Sequence, residues 1–281
     1  GKHLKPAKED LSGIQTVIFD IQDVGVRFYT YISTLQYVME ACAENNIPLI
    51  VLDRPNPNGY KIDGPVLDSE FTSFVGMQPV PVMYGMTIGE YALMLNGEKW
   101  LKTKPCKLTV IPIAGYTHDT EYQLPIPPSP NLRNMDAIYL YPSLCLFEGT
   151  KVSVGRGTEH PFQVIGCPGM KGTYSFTPKD IKGVVTNPPY KDTLCTGMDL
   201  EGSGLVIRHE KAGMSVQWLT DAFHSTSDTS QFFTPFFDKL AGSARLRNQV
   251  RTGMKPEDIR SSWRAELDKF SNIRKKYLLY H

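Results

Sequence analysis

The sequence predicts an α/β protein, a Rossmann-like parallel sheet domain followed by a smaller α+β domain. Three observations predict it. Thr16-Val17-Ile18-Phe19 is a short apolar run rich in β-branched residues, and Leu49–Leu52 is a second apolar run; both have the mark of buried strands. Between them Ile32, Leu35, Val38, Met39 and Cys42 recur at helical spacing. Strand Thr16–Ile21, helix Ile32–Asn45 and strand Leu49–Leu52 therefore form a βαβ unit, with Asn46 as the helix stop and Pro48 opening the second strand. Both strands then turn abruptly polar, in Asp20–Tyr31 and in Asp53–Gly59, at the place where open α/β sheets bind ligands.

The first polar stretch, Asp-Ile-Gln-Asp-Val-Gly-Val-Arg-Phe-Tyr-Thr-Tyr, offers Asp20, Asp23, Arg27, Tyr29 and Tyr31. The second, Asp-Arg-Pro-Asn-Pro-Asn-Gly, offers Asp53, Arg54, Asn56 and Asn58 on a loop stiffened by proline. Parallel topology alone places Asp20, Asp23 and Asp53 along one sheet edge. Asp63–Gly85 is punctuated by Gly and Pro and reads as a loop covering a site. Thr87 and Glu90 fit a capping box at the start of a helix running through about Leu101. Lys107–Ile113 alternates like a strand. Pro125–Asn131 excludes helix and central strand, and forms a rigid wall or hinge. After apolar Ala137–Leu140, Glu148 follows apolar or small residues and precedes a glycine. Such company raises a carboxyl's pKa, as a general acid requires.

From Gly169 onward strand-like pieces, Tyr174–Thr177 and Gly204–His209, alternate with proline turns. Helices are expected over Ser215–Phe223, over Phe236–Arg251 with a break near Gly242, and over Pro256–Tyr277. The last carries Ile259, Trp263, Leu267, Phe270, Ile273 and Tyr277 on one face. The expected division is 1–147 and 148–281, with a cleft between the two parts.

Composition narrows the function. Of 281 residues, 41% are hydrophobic and 21% charged, which supports a buried core and argues against disorder. The net charge of +1 comes with scattered Lys and Arg, not the basic stripe that nucleic acid requires. No apolar run reaches the roughly 18 residues of a membrane span. The five cysteines are far apart and read as buried thiols, leaving the redox compartment open. The six histidines are isolated, without zinc-ligand spacing. There is no GxGxxG after a strand, no GxSxG, and no Gly-Lys-Ser/Thr after the glycines of Ser153–Gly157. Asp20 and Asp23 at a strand end leave magnesium conceivable. Glycoside hydrolysis needs two carboxyls in a polar, aromatic-edged cleft. Asp20, Asp23, Asp53, Glu90 and Glu148 can supply the carboxyls, Tyr29, Tyr31 and Tyr84 the aromatic edge, and Asn56, Asn58 and Asn131 the hydroxyl contacts. Arg27, Arg54 and Arg156 can grip an anionic substituent.

At Phe19–Tyr31, Leu52–Gly59, Gly85–Glu90, Pro128–Asn131 and Phe147–Thr158 the chain resembles the exo-β-N-acetylmuramidases of the NamZ type. The resemblance is dense over the first 170 residues and looser beyond. It implies a Rossmann-like domain, a smaller second domain and a cleft between them. It also implies release of N-acetylmuramic acid from non-reducing ends of peptidoglycan fragments, no cofactor, and a periplasmic or secreted location. The sugar's lactyl carboxylate would meet Arg156 or Arg27, and Thr158 falls in the same motif. Glu148 is expected as general acid and Asp23 as base, nucleophile or orienting group; the substrate's acetamido group is an alternative nucleophile. Two departures stand out. Family members often have histidine where this chain has Tyr84. The family's Ser-Pro-Glu-His-Gly segment, expected to contribute a site glutamate, does not occur in this sequence. From these the chain alone is expected to be inactive, with an exposed sheet edge. The rival readings are a non-catalytic muropeptide- or sugar-binding protein and a magnesium-dependent phosphohydrolase.

Overall fold

The computed structural model describes residues 4–280. Strand β1 (Val17–Phe19), helix α1 (Tyr31–Asn45) and strand β2 (Leu49–Leu52) form the expected βαβ unit, and Asn46 closes α1 in a left-handed conformation. Strand β3 (Asp63–Val66) pairs antiparallel with β4 (Pro81–Met83). Helix α2 (Ile88–Gly97) opens on the complete capping box of Thr87 and Glu90. It ends short of Leu101, with Lys99 at φ 57°. Strand β5 (Leu108–Ile111) joins the parallel sheet in the order β1-β2-β5.

The period of two in these strands divides the sheet into unlike faces. Phe19, Leu49 and Val51 pack with Ile32, Leu35 and Met39 of α1 and Tyr91, Ala92 and Leu95 of α2. Both helices therefore cover the same face. Ile18, Ile50 and Thr109 are in register on the other, as are Leu52 and Ile111. There Ile18, on edge strand β1, is 61% exposed and Ile111 47%.

Helix α3 (Met135–Leu144) is capped by Asn134 and runs into a 3-10 turn, Cys145–Gly149. Next come β6 (Val164–Cys167), β7 (Tyr174–Phe176) and β8 (Cys195–Asp199), an antiparallel sheet in the order β6-β8-β7. Helices α4 (Ser203–His209), α5 (Gln217–Ser225), α6 (Pro235–Ala241), α7 (Arg245–Arg251), α8 (Pro256–Ser261) and α9 (Arg264–Arg274) complete the second, α+β part.

Three expectations about elements are corrected. Gly204–His209, expected as a strand, belongs to α4: Asp136 accepts hydrogen bonds from the N–H groups of Gly202 and Leu205 and so caps this short helix. The apolar stripe of Pro256–Tyr277 is one pattern on two helices. Ile259 and Trp263 enter the larger core, while Phe270 joins the core of the parallel sheet. The backbone break between α8 and α9 lets consecutive turns serve both. The Asp63–Gly85 excursion is no cover, since Val82 and Met83 are buried in the larger core beside Val24, Val26 and Phe28. The break at Gly242 (φ 81°) falls where expected, and all five cysteines are buried free thiols.

The two parts are interlocked. Residues 24–28 pack into the core built mostly by the second half, and α9 returns to the first. Arg274 donates to the Gly85 carbonyl at 2.7 Å, and Tyr277 to Glu98 at 2.7 Å.

Candidate active site

Asp20 and Asp53 follow β1 and β2, adjacent parallel strands, so their carboxylates do share one edge of the sheet. Their surroundings differ. Asp20 is exposed and accepts Arg54 Nε at 2.5 Å; that hydrogen bond holds its carboxyl below the usual range. Asp53 is saturated. Its Oδ1 accepts the N–H groups of Arg54 (3.0 Å) and Gly89 (2.8 Å), and its Oδ2 the hydroxyls of Thr87 (2.6 Å) and Tyr280 (2.7 Å). Glu90, fully buried, accepts from the N–H of Thr87 at 2.9 Å and of Leu279 at 2.8 Å, and lies 3.1 Å from His118 Nε2. These two carboxylates bind the start of α2 to the segment after α9.

Several expected substrate contacts are likewise turned inward. Arg27 is fully buried and donates to the carbonyls of Pro65 (2.8 Å), Val80 (2.7 Å) and Leu240 (2.8 Å). Burial without a carboxylate partner pushes its pKa down to about 9. Leu240 is in the last turn of α6, whose carbonyls a cation satisfies well. Asn56 donates to the Met86 carbonyl and accepts the Asn58 N–H, while Asn58 donates to the carbonyls of Val24 and Ile138. A side chain on Gly25 would collide with Asn56, its Cβ coming within 2.0 Å of Oδ1. Thr158 closes its own turn on the Gly155 carbonyl at 2.7 Å. Asn131 is buried, its backbone N–H donating to Ser129 Oγ, and its Oδ1 has no partner.

Asp23 is only 5% exposed. Its Oδ2 accepts the Gly25 N–H at 2.7 Å and a very short hydrogen bond from the buried Tyr84 hydroxyl. Burial pushes its carboxyl up to about 6, against the pull of Tyr84 and Gly25; its Oδ1 is unpartnered. Tyr84, expected at the substrate, is therefore a partner of Asp23. Asp20 and Asp23 have different partners, Arg54 for the first and Tyr84 with Gly25 for the second. Among the described residues, no group of three or more His, Cys, Asp or Glu side chains is placed to hold a metal ion.

A series of aromatic contacts runs from Tyr29 to the support of Arg156, the partner of Glu148. Tyr29 meets Tyr31 edge-on at 4.9 Å and Tyr141 at 5.8 Å, and donates to the Pro128 carbonyl at 2.7 Å, in the proline wall. Tyr141 meets Phe162 at 5.0 Å, and Arg156 lies over the Phe162 ring at 5.0 Å. Arg156 Nε donates to Glu148 Oε1 at 2.6 Å.

Glu148 is on the 3-10 turn after α3, whose residues Cys145, Leu146 and Phe147 are buried. The apolar neighbours in sequence face the core; Glu148 faces Arg156. Glu148 therefore sits in an ion pair, not in the wholly apolar company expected from its sequence neighbours. Arg156 spends only Nε on the protein among the described residues, leaving its terminal nitrogens for a ligand. The two side chains, 28% and 27% exposed, open on a cavity of about 350 Å³ shared with Val152, Val154, Pro189 and Tyr190. Tyr190 lines this cavity, and the buried rings of Tyr141 and Phe162 support Arg156; none of the three was singled out from sequence. Their only early signal was proximity to the Phe147–Thr158 motif, and Tyr190 lacked even that.

Comparison with known proteins finds relatives along the whole chain. A family model described as exo-β-N-acetylmuramidase NamZ, N-terminal, matches residues 1–136, and the corresponding C-terminal model matches residues 139–280. The chain is 39% identical over 305 residues to the peptidoglycan β-N-acetylmuramidase NamZ of Bacillus subtilis strain 168, covering 100% of this chain and 71% of that protein. Two crystal structures of DUF1343 family proteins from Bacteroides fragilis share the fold. One has TM-score 0.94 at 48% identity, over 98% of this chain and 78% of that one. The other has TM-score 0.82 at 32% identity, over 100% and 79%.

Proposed function

The chain belongs to the NamZ family of exo-β-N-acetylmuramidases, and from that premise we propose that it hydrolyses the bond linking a terminal N-acetylmuramic acid to the rest of a peptidoglycan fragment. The observation that carries this reading is the unspent fork of Arg156. Its Nε is fixed by Glu148 and its plane by Phe162, so the remaining nitrogens present a preset bidentate site for a carboxylate. N-acetylmuramic acid differs from N-acetylglucosamine by a lactyl carboxylate.

Glu148 and Asp23 are the proposed catalytic carboxyls; because this chain holds both, it is proposed to be active, against the expectation of inactivity drawn from the Ser-Pro-Glu-His-Gly segment. A substrate carboxylate arriving on Arg156 competes with Glu148 for the guanidinium and frees the Glu148 side chain to turn to the glycosidic oxygen as general acid. Asp23, braced by Tyr84, is the second carboxyl. Tyr29 and Tyr31 flank the sugar, and Asp20 with Arg54 forms the exposed rim at the strand ends. No cofactor takes part. The protein works where its polymer lies, in the periplasm or outside the cell.

The test is release of 4-nitrophenol from the β-N-acetylmuramide by the protein and its Arg156→Ala variant, with calorimetric binding of the β-N-acetylglucosaminide to both. Muramide cleavage that weakens in the variant, with glucosaminide binding unchanged, supports the reading. Equal loss on both, or no muramide cleavage by the unaltered protein, would sink it.

A further inference from the structure

Two aromatic residues near Glu148 hold left-handed backbone: Phe162 (φ 59°), buried under the Arg156 guanidinium, and Tyr190 (φ 58°), which lines the cavity. Bulky residues rarely adopt it, and such strain persists where a site over-determines it. Phe162 has an evident duty, since it carries the Arg156 guanidinium. Tyr190 packs one side against the Val164, Phe176 and Cys195 cluster and has no role yet in the site as described. Its hydroxyl donates to the Lys151 carbonyl at 2.6 Å, which pins the ring. Asn187 (φ 54°) and Asp192 (φ 58°) share the conformation, so the whole turn is bent to deliver Pro189 and Tyr190 to the cavity wall. The Lys151 ammonium is turned away onto the Asp228 carbonyl. Beside the charged Glu148 and Arg156 and the hydroxyls of Thr150 and Ser153, the cavity lining includes the apolar side chains of Val152, Val154 and Pro189 and the ring of Tyr190.

We infer that the Pro189–Tyr190 wall receives the N-acyl group of the sugar and sets the size of acyl group accepted. The inference rests on the function proposed above. In a muramyl sugar the lactyl ether and the acylamino group occupy adjacent ring carbons. With the carboxylate on Arg156, the acyl methyl is directed at an apolar surface in the same cavity of about 350 Å³. A methyl buried against Val, Pro and Tyr gains contact, and a longer chain meets a ring that its own hydrogen bond holds in place. Tyr190 is therefore a specificity-determining residue.

The experiment compares 4-nitrophenyl β-muramides carrying N-acetyl, N-propionyl or N-butyryl groups, with the unaltered protein, Tyr190→Ala and Tyr190→Phe. The unaltered protein should lose roughly tenfold or more in kcat/KM per added methylene. Tyr190→Ala should narrow that loss to about threefold or less, and Tyr190→Phe should keep most of the discrimination because it keeps the ring. Thermal unfolding checks that each variant folds; if Tyr190→Ala does not, Tyr190→Leu takes its place. An acyl-size ratio unchanged by Tyr190→Ala overturns the inference while leaving the muramidase reading intact. Absence of any cleavage by the unaltered protein defeats the muramidase reading. In that event calorimetric binding of the free N-acetyl and N-butyryl sugars to the same variants still measures the ratio.

Discussion

Around Asp53 both carboxylate oxygens are satisfied twice over; around Arg156 one nitrogen is satisfied and the rest of the fork is not. Both regions are rich in charge, and both lie in motifs that mark the chain as a muramidase. The Asp53 region collects donors from α2, from its own loop and from Tyr280, and Glu90 does the same with Thr87 and Leu279. Its polar groups answer to one another and hold the strand ends in place. The Glu148 region has one strong internal bond, an aromatic support and an open cavity. A buried polar network that is complete specifies a fold. A partly exposed one with donors left over is what a ligand can complete.

The comparison would break most visibly at Glu148. Glu148→Gln should lower muramide turnover by about a thousandfold, yet shift unfolding stability by less than ~1 kcal/mol because the pair is partly exposed. A large loss of stability with modest loss of turnover would move Glu148 into the structural class. Asp53→Ala is the mirror image. Four donors lose their acceptor, and the expected cost is about 4 kcal/mol in a urea titration. If stability holds and only activity falls, Asp53 belongs with the site.

Asp23 sharpens the contrast through pH. Its folded-state carboxyl is raised from 3.8 to about 6 by burial. Below pH 3.8 both states carry the proton and its contribution is fully present. As pH rises toward 6 the unfolded chain gives up the proton first, so stability is lost, by about 3 kcal/mol in all. Asp23→Asn should remove this slope: the variant should gain on the unaltered protein between about pH 4 and pH 6. Parallel stability curves would show that Asp23 is not protonated in the fold. The smallest effect is expected at Arg245→Ala. This residue pairs with Glu266 on the surface, and its loss should cost under about 0.5 kcal/mol.

Much of the architecture was legible because it follows from local rules. The βαβ unit, the capping box of Thr87 and Glu90, the break at Gly242 and the burial of every cysteine all depend on neighbours within a turn or a strand. Asp23, Glu148 and Arg156 were legible as chemistry. Arg27, Asn56, Asn58 and Tyr84 were legible as polar residues in polar loops, but not as buried ones. Their acceptors are the carbonyls of Leu240, Met86 and Val24 and the carboxylate of Asp23, some of them far away along the chain. Gly204–His209 failed as a strand for a related reason, since the residue that caps its helix is Asp136.

By itself the sequence determined the parallel α/β plan, the family and the set of ionisable groups at the strand ends, because periodicity, turn chemistry and motif order are properties of adjacent residues. Only the tertiary structure decided which of those groups were spent. Whether a carboxylate or guanidinium is free for a ligand depends on the donors and acceptors that distant segments bring to it. That is why Asp53 and Arg27 became struts, and Arg156, three residues beyond Ser153 in a glycine-rich turn, kept an open hand.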